Sequence, residues 1–445
     1  MGPSRGRGHG VMCSQRVLMP FESMSRRGFI GTTAAASAAL PQSGAPNVKI
    51  EGAKQAALDV LKPSQRDLEH GLELHANSVV VDGYGFAPRA AIDGDVMREA
   101  MEAGASELEL KDMREDMGMT RAAVDPAERA EFLDAWKASG VTCIFQNCGE
   151  EGNDPLVLMK RLSRFTYLTD SIRDVLRRAV FPGDVGKAKE DGVGCLYFTG
   201  NGVPLTQTGV SAEDELRYVR VFYQLGIRMM HVTYNRRNRL GDGCAETANG
   251  GLSDFGRMAV DELNRVGVIV DVAHSGWQTS LEAAQRSSKP MVASHSTCGA
   301  LYAHIRSKPD KVIRAIVDTG GYIGICCIPR FLRRTGDIAA LLDHIDHVVK
   351  KFGPDHVALG TDVVYASRNG RSETAKLPPR PKRRIRFAAL WPPDDFTTTD
   401  QMNQSVAWTN WPLFTVGMVQ RGHSDEVIQK IIGGNVLRVL EANLV

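Results

Sequence analysis

The chain has 445 residues, of which 43% are hydrophobic and 24% are charged, an ordinary balance for a soluble globular protein. Its formal net charge of +2 gives no overall reason to expect a nucleic acid or an anionic membrane as a partner. The eight cysteines form no C-x-x-C pair, so neither a zinc ribbon nor a dense disulfide scaffold is indicated.

The N-terminal region resembles an export leader. Arg26 and Arg27 are followed two positions later by Phe29, then by a weakly apolar, Ala-rich stretch and small residues up to Ala45, which is the twin-arginine pattern. The apolar part is shorter than the roughly 20 residues that a membrane-spanning helix needs, so no stable membrane span is expected. We therefore predict a signal peptide at 24–45 and an exported, periplasmic or extracellular protein. Residues 1–23 fit no export signal and are expected to be untranslated or disordered, and a disordered Ala/Ser tail is the alternative for the leader itself.

Beyond the leader, short apolar runs alternate with helical patterns. The candidate strands are 78–82, 141–147, 193–199, 227–234, 266–274, 291–296, 322–328 and 356–362. Most are continuous apolar runs, which is typical of parallel strands buried on both faces. Helical patterns lie between them at 212–225, 254–265, 278–286, 309–318 and 338–351. Eight β/α units predict an α/β fold, a (β/α)8 TIM barrel of the metallo-dependent hydrolase type. An open doubly wound sheet is the alternative, but no G-x-G-x-x-G follows the first strand.

Several segments fall outside these eight units. Residues 51–74 predict an amphipathic helix that leads into the barrel, and insertions are expected at 83–126 and 366–396. The second insertion holds a basic, Pro-rich run at 376–386, which favours a solvated loop over a binding patch. Two C-terminal helices, 404–420 and 424–443, are expected to pack outside the barrel. The sequence therefore predicts one barrel domain over 46–445.

Polar side chains close several of the candidate strands. His274 ends the fifth strand, His295 the sixth and Asp362 the eighth, while His231 and Tyr234 lie near the end of the fourth. In TIM barrels the C-terminal ends of the strands carry the chemistry. One histidine after an apolar strand is usually structural, but two on consecutive strands with an aspartate form a usual zinc ligand set.

Short motifs along the chain resemble those of the membrane dipeptidase family, the renal dipeptidase-like metallopeptidases. They are GLSDFG at 251–256, VDVAHS at 270–275, VASHS at 292–296, RSKPD at 306–310, ALGTD at 358–362 and GGNVLR at 433–438. The likeness is dense from about residue 226 to 362 and sparse before residue 190. With its leader, the chain resembles a divergent bacterial member of that family.

The resemblance implies a two-zinc barrel that hydrolyses dipeptides. Carried onto this sequence, His274 and His295 would be metal ligands, and Asp362 would be the catalytic acid and base. Arg306 would bind the free carboxylate of the substrate, because a guanidinium matches a carboxylate in bidentate geometry. Tyr234 aligns with a substrate-facing histidine of the family and is a further catalytic candidate.

The sequence departs from the family at other metal ligands. The family's Asp-Gly-His-x-Asp after the first strand reads here with Tyr84 and Phe86 at the two ligand positions, and no carboxylate stands at 198–202, where the family has a bridging glutamate. We therefore expect one zinc ion rather than two, held by His274, His295 and Asp362, with another divalent metal as an alternative. Asp82 is the carboxylate left nearby for a second ion.

Taken together, these features predict a metal-dependent hydrolase, a dipeptidase that cleaves dipeptides or similar small amides with a free carboxylate. The alternative is a catalytically silent periplasmic barrel that binds a small peptide or metabolite. We expect a small-molecule or dipeptide ligand and no nucleic-acid partner, and a homodimer is compatible with the sequence.

Overall fold

The computed structural model describes residues 46–149, 154–208, 210–379 and 394–444, and the strands within them are all parallel. They are β1 (Val81–Gly85), β2 (Cys143–Asn147), β3 (Leu176–Arg178), β4 (Gly194–Gly200), β5 (Ile227–His231), β6 (Ile269–Asp271), β7 (Val292–Cys298), β8 (Ser307–Lys308), β9 (Tyr322–Ile325) and β10 (Val357–Leu359). The main path runs β1-β2-β4-β5-β6-β7-β9-β10, and the short strands β3 and β8 pair with β4 and β7.

Helices lie between and around the strands. They are α1 (Val48–Leu61), α2 (Gln65–Asn77), α3 (Gly94–Glu102), α4 (Glu107–Thr120), α5 (Pro126–Ser139), α6 (Pro155–Ser171), α7 (Gly183–Glu190), α8 (Ala212–Gln224), α9 (Asp254–Val266), α10 (Trp277–Arg286), α11 (Asp310–Asp318), α12 (Pro329–Leu332), α13 (Ile338–Phe352), α14 (Gly370–Ala375), α15 (Asp400–Ser405), α16 (Trp411–Gln420), α17 (Asp425–Gln429) and α18 (Asn435–Asn443).

The eight strands of the main path overlap the eight predicted strand regions one for one, so the prediction of a parallel (β/α)8 barrel is confirmed. The strands could be found because each is an apolar run buried from end to end, with every residue of β1, β2, β4 and β7 buried. The extra strands β3 and β8 were not predicted, because two or three residues carry no periodicity.

The barrel is brought together between β1 and β10 by polar contacts. Asp82 accepts hydrogen bonds from the backbone N–H of Thr361 at 2.9 Å and from its hydroxyl at 2.6 Å. The backbone N–H of Asp362 donates to the carbonyl of Tyr84 at 3.1 Å. These bonds join β1 to the segment that follows β10, so the first and last strands of the main path lie next to each other.

The predicted helix over 51–74 is two helices, α1 and α2. Pro63 lies between them, and it lacks the N–H that a continuing helix would use. Lys62 ends α1 in the left-handed region, with φ at 45°, and Ser64 caps α2 by accepting from the N–H of Asp67. The break turns the chain so that α2 packs against α16 outside the barrel.

The C-terminal helix α18 covers the end of the barrel at which the strands begin. The side chains of Val436, Val439 and Leu440 in α18 lie in one apolar cluster with Val81 and Ile269, at the starts of their strands. The prediction that the C-terminal helices pack outside is right for α16 and wrong for α18. The reason is the i, i+3, i+4 spacing of these apolar residues, which gives α18 a face that fits the barrel bottom.

The two predicted insertions meet at the rim of the barrel. Helices α3 and α4 belong to the first, and α14 belongs to the second. The N–H of Gly94 donates to the carboxylate of Glu373 at 2.8 Å. The predicted leader at 24–45 and residues 380–393 of the second insertion, which hold most of its basic run, lie outside the described residues. Among the helices that are described, none is long and apolar enough to cross a membrane.

Candidate active site

Two buried imidazoles meet at the C-terminal end of the barrel. His274 follows β6, and His295 lies within β7; their exposed fractions are 3% and 0%. The Nε2 atoms of the two rings are 2.9 Å apart. The structure therefore brings together the two histidines that the sequence singled out.

The neighbours of these rings decide which nitrogen carries the proton. The Nδ1 atom of His274 lies 2.7 Å from Oδ1 of Asn235, an acceptor, so Nδ1 is the donor. The Nδ1 atom of His295 lies 2.8 Å from Oγ of Ser294, whose own hydrogen is donated to the carboxylate of Asp271. The Ser294 oxygen therefore accepts from Nδ1–H of His295.

In the neutral rings, both Nε2 atoms then carry lone pairs that point into one small space. Burial, reinforced by the charge of Arg306, lowers the pKa of His274 and of His295 well below the usual value, so both rings are neutral. Two lone pairs at 2.9 Å repel each other unless a cation lies between them. Two nitrogens bound to a tetrahedral zinc ion would be about 3.3 Å apart, so the donor pair fits a divalent metal.

Each imidazole is stacked against a tyrosine. Tyr84 lies on His295, with ring centroids 3.9 Å apart, and Tyr234 lies on His274 at 4.0 Å. The hydroxyl of Tyr84 donates to Oδ1 of Asn201 at 2.5 Å, and burial raises the pKa of that hydroxyl well above its usual value. The stacking fixes the orientation of both imidazole rings. At the position where the resemblance would place a metal-binding histidine, the structure thus has a neutral phenol hydrogen-bonded to an amide.

Asp362 stands at the edge of this site in an unusual backbone conformation. Its φ is +56°, in the left-handed region that residues other than glycine rarely adopt, a kind of strain that clusters at functional sites. Burial raises its pKa to about 6, against the opposing effects of Arg306 and His231. Among the described residues, one group of three side chains has potential metal-ligand atoms within 4.8 Å of one another, and Asp362 does not belong to it. Its role as the third metal ligand therefore stays a prediction.

Arg306 is fully buried beneath the histidines. One terminal nitrogen of its guanidinium donates to the carbonyl of Ala273 and the other to the carbonyl of His295, the latter at 3.0 Å. These bonds tie together the ends of β6 and β7. Arg306 does not line either of the two cavities at the mouth, and its Nε has no hydrogen-bond partner among the described residues, so its predicted role in binding the substrate carboxylate stays a prediction.

The group of three with close ligand atoms is His231, Asp271 and His295, of which the sequence analysis had assigned a role only to His295. Nε2 of His231 lies 2.7 Å from Oδ2 of Asp271. The carboxylate of Asp271 also accepts from the backbone N–H groups of Ala273 and Ser294 and from the Ser294 hydroxyl. Although burial would raise it, these contacts and His231 bring the pKa of Asp271 below its usual value.

Asp271 is therefore an ionised, fully hydrogen-bonded carboxylate that holds His295 in place through Ser294. Carboxylates of this kind usually orient metal-binding histidines and raise their basicity. The available sequence signals were Asp271 in VDVAH and His231 at the end of its strand. Neither was assigned this role, because the register between β5 and β6 that pairs the two residues is a tertiary feature.

Asp82 does not face the histidines. In addition to Thr361, its carboxylate accepts from the indole N–H of Trp408 at 3.1 Å. Burial raises the pKa of Asp82 to about 7, against these hydrogen bonds. Its oxygens are committed to closing the barrel, so this residue is a poor candidate for holding a second metal ion.

Two cavities open at the mouth and share Phe86 and Asp362. The smaller, of about 360 Å³, is polar and reaches Tyr84, Asn201, Tyr234 and His274. The larger, of about 740 Å³, is lined mainly by apolar side chains that include Val48, Ile328, Val363 and Trp408. Both volumes are within the usual range for small-molecule sites.

Paired histidines and an aspartate at the mouth of a parallel (β/α)8 barrel are an arrangement that metal-dependent barrel hydrolases use. Residues 72–376 match the model of the family described as membrane dipeptidase, peptidase family M19. This chain belongs to that family, which confirms the resemblance carried by the strand-end motifs.

The similar proteins agree with this assignment. Dipeptidase tcpJ of Claviceps purpurea is 30% identical over 227 residues, 50% of this chain and 46% of that protein. Dipeptidase verJ of Clonostachys rogersoniana is 28% identical over 233 residues, 50% of each chain. The chain thus spans about half the length of these curated relatives.

Solved structures show the same fold. An amidohydrolase from Pseudomonas aeruginosa is 25% identical, with a TM-score of 0.60 over 84% of this chain and 98% of that one. A metallopeptidase from Rhodobacter sphaeroides, solved with a phosphinate mimic of the dipeptide L-Ala-D-Ala, has a TM-score of 0.58 over 82% of this chain and all of its own, at 18% identity. The latter likeness speaks for the fold alone.

Proposed function

We propose that this chain is a metal-dependent dipeptidase that hydrolyses dipeptides or similar small amides with a free carboxylate. The observation that carries the proposal is the pair of neutral imidazoles, His274 and His295, whose lone pairs converge 2.9 Å apart beside a cavity lined by Asp362. Membership of the dipeptidase family supports the same activity.

The metal site we propose holds one ion, zinc or another divalent cation, between His274 and His295. When bound there, the cation would supply Lewis-acid chemistry that polarises the scissile carbonyl. Among the described residues, the family's positions for a second ion offer no ligand, since Tyr84 is bonded to Asn201, Phe86 is apolar, and the hydroxyl of Thr199 donates to the carbonyl of Gln146. Two cations without a bridging carboxylate would repel each other.

The residues of the chain itself would bind and move protons. With a pKa of about 6, Asp362 is largely ionised at neutral pH and can accept a proton from water. The same carboxyl can then deliver the proton to the leaving amine. Tyr234, stacked on His274 at the cavity wall, would contact the substrate.

Metal content and hydrolysis test the proposal together. Zinc per chain would be measured after purification with zinc for wild type, His274→Ala and His295→Ala, with His423→Ala as a control because that ring pairs with Asp346 at the surface. We expect one equivalent in wild type and in the control and none in the two site variants. Hydrolysis of a dipeptide panel should follow the metal.

Two firmly bound equivalents would contradict the single-ion site, and metal binding without hydrolysis of any dipeptide would contradict the dipeptidase assignment. The catalytically silent binding barrel has one observation in its favour, the replacement of family ligands by Tyr84 and Phe86. It would be supported by tight peptide binding without metal or turnover.

A further inference from the structure

The smaller cavity at the mouth has cationic walls that the proposed chemistry does not use. Arg89, after β1, Lys111 in α4 and Arg161 in α6 line it together with His274 and Asp362. A substrate in this cavity that contacts His274 therefore also faces these cations.

The charge of Arg161 is already balanced. Its guanidinium binds Glu115 in a bidentate manner, with Nε 3.1 Å from one carboxylate oxygen and a terminal nitrogen 2.8 Å from the other. Arg161 also donates to the carbonyl of Gly149. Apart from Asp362, Glu115 is the only acidic side chain among the described residues that line this cavity, and it is occupied by Arg161.

Arg89 has no such bonded partner in the part of the chain that the structure describes. Its guanidinium carbon lies 5.6 Å from the ring centroid of Phe165, and its side chain makes no hydrogen bond or ion pair with the other described residues. Burial, followed by repulsion from Arg161, lowers its pKa to about 10, which leaves it charged at neutral pH. Glu115 attracts this charge through space, but that carboxylate is bonded to Arg161, and a largely buried guanidinium with no ion pair of its own among the described residues favours a bound anion.

We propose that Arg89 binds the carboxylate of the substrate through its guanidinium in the smaller cavity, and so restricts the substrates to small amides with an anionic end. This inference rests on the proposed function and adds the residue that reads the carboxylate. Arg306, the residue suggested by the resemblance, gives both terminal nitrogens to backbone carbonyls. The guanidinium of Arg89 presents its donors in the same planar fork, which matches a carboxylate.

The two cavities then set the direction in which a substrate lies. With the carboxylate at Arg89 and the scissile amide near Asp362, the rest of the substrate continues past Phe86 into the larger, mainly apolar cavity of about 740 Å³. The substrate class that fits is an amide with a carboxylate on the amine side and a bulky apolar group on the acyl side.

Binding of a dipeptide isostere that cannot be hydrolysed tests the role of Arg89. The probe is Phe-Ala with the amide replaced by a methylene-amine, as the free acid and as the C-terminal amide, titrated calorimetrically into the zinc-loaded protein. We expect wild type to bind the free acid at least about tenfold more tightly than the amide, because the amide cannot form the charge-assisted pair with the guanidinium. Arg89→Gln should lose that preference by weakening the free acid alone, and Arg89→Lys should keep part of it.

Arg217→Gln is the matched control, since it removes the same charge from a side chain that is 77% exposed on α8, and it should bind like wild type. Equal binding of acid and amide by wild type would overturn the proposal. So would a preference that survives in Arg89→Gln but disappears in Arg306→Gln.

Separate outcomes identify which proposal fails. If wild type hydrolyses no dipeptide but prefers the free acid, and Arg89→Gln loses that preference, the carboxylate subsite is supported and the dipeptidase function is rejected. Hydrolysis with no difference between acid and amide rejects the subsite alone. Circular dichroism and zinc content would verify that each variant is folded and loaded, and Arg89→Lys serves if Arg89→Gln does not fold.

Discussion

The hydroxyl of Ser294 links the carboxylate of Asp271 to the ring of His295, so Ser294→Ala should weaken metal binding. In the native site the hydroxyl donates to Asp271 and accepts from Nδ1–H of His295 at 2.8 Å. The variant leaves that buried N–H without an acceptor, which costs about 1–3 kcal/mol. That cost falls on the stability of the fold, whereas loss of an orienting partner typically lowers metal affinity by about 10- to 100-fold, or roughly 1.4–2.8 kcal/mol.

Asp271 should remain in place in this variant, because it keeps the backbone N–H groups of Ala273 and Ser294 and its contact with His231. Zinc dissociation constants would be measured by competition with a chromophoric chelator. Ser296→Ala is the matched control, since that hydroxyl is equally buried in β7 but donates to the carbonyl of Arg306 at 2.6 Å.

We expect the zinc dissociation constant to rise by about 10- to 100-fold in Ser294→Ala and by less than about twofold in Ser296→Ala. Thermal denaturation of the metal-free proteins should show comparable losses of stability, which separates metal affinity from folding. A Ser294→Ala protein that binds zinc as tightly as wild type would refute the relay from Asp271 to His295. Equal weakening in both variants would show that the effect comes from strand packing.

Three further predictions concern other parts of the molecule. If Asp362 is the proton acceptor, kcat/KM should rise with pH through an apparent pKa near 6, and Asp362→Asn should lower it by about 10²- to 10⁴-fold and remove that limb from the pH profile. A profile in Asp362→Asn with the same limb would exclude this role. Burial raises the pKa of Asp82 to about 7, so the folded state keeps a proton that the unfolded chain loses near pH 4. The contribution of Asp82 to the free energy of unfolding should therefore fall by about 2–3 kcal/mol between pH 5 and pH 8. Urea denaturation at both values should show a shallower pH dependence in Asp82→Asn, and an unchanged dependence would contradict the assignment. We also propose twin-arginine export: a reporter fused after residue 45 should be exported and the double variant Arg26→Lys, Arg27→Lys retained, whereas export of the double variant would disprove the pathway.

Much of the barrel could be predicted because a buried parallel strand has a local sequence pattern. Both faces of such a strand are covered, so an uninterrupted apolar run marks it, and the eight strands of the main path fall where those runs are. His274 and His295 could be selected for the same reason. Each is a polar residue at the end of an apolar run, and the ends of parallel strands meet at one mouth.

Other features of the site depend on which side chains and backbone groups the fold brings into contact. The sequence shows Arg306 near a metal motif, but its burial and its bonds to two backbone carbonyls follow from the packing of β6 against β7. Likewise, the pairing of His231 with Asp271 depends on the register of β5 and β6, which no local pattern encodes.

The sequence alone therefore determined the family, the barrel and the two histidines, because apolar periodicity and short strand-end motifs are local properties of the chain. Only the tertiary structure decided the protonation of the imidazoles, the commitment of Asp82 to barrel closure and the lack of a bonded counter-ion for Arg89 among the described residues. These depend on hydrogen-bond and charge partners that lie tens to hundreds of residues apart, such as Asp82 and Thr361, which are separated by 279 positions.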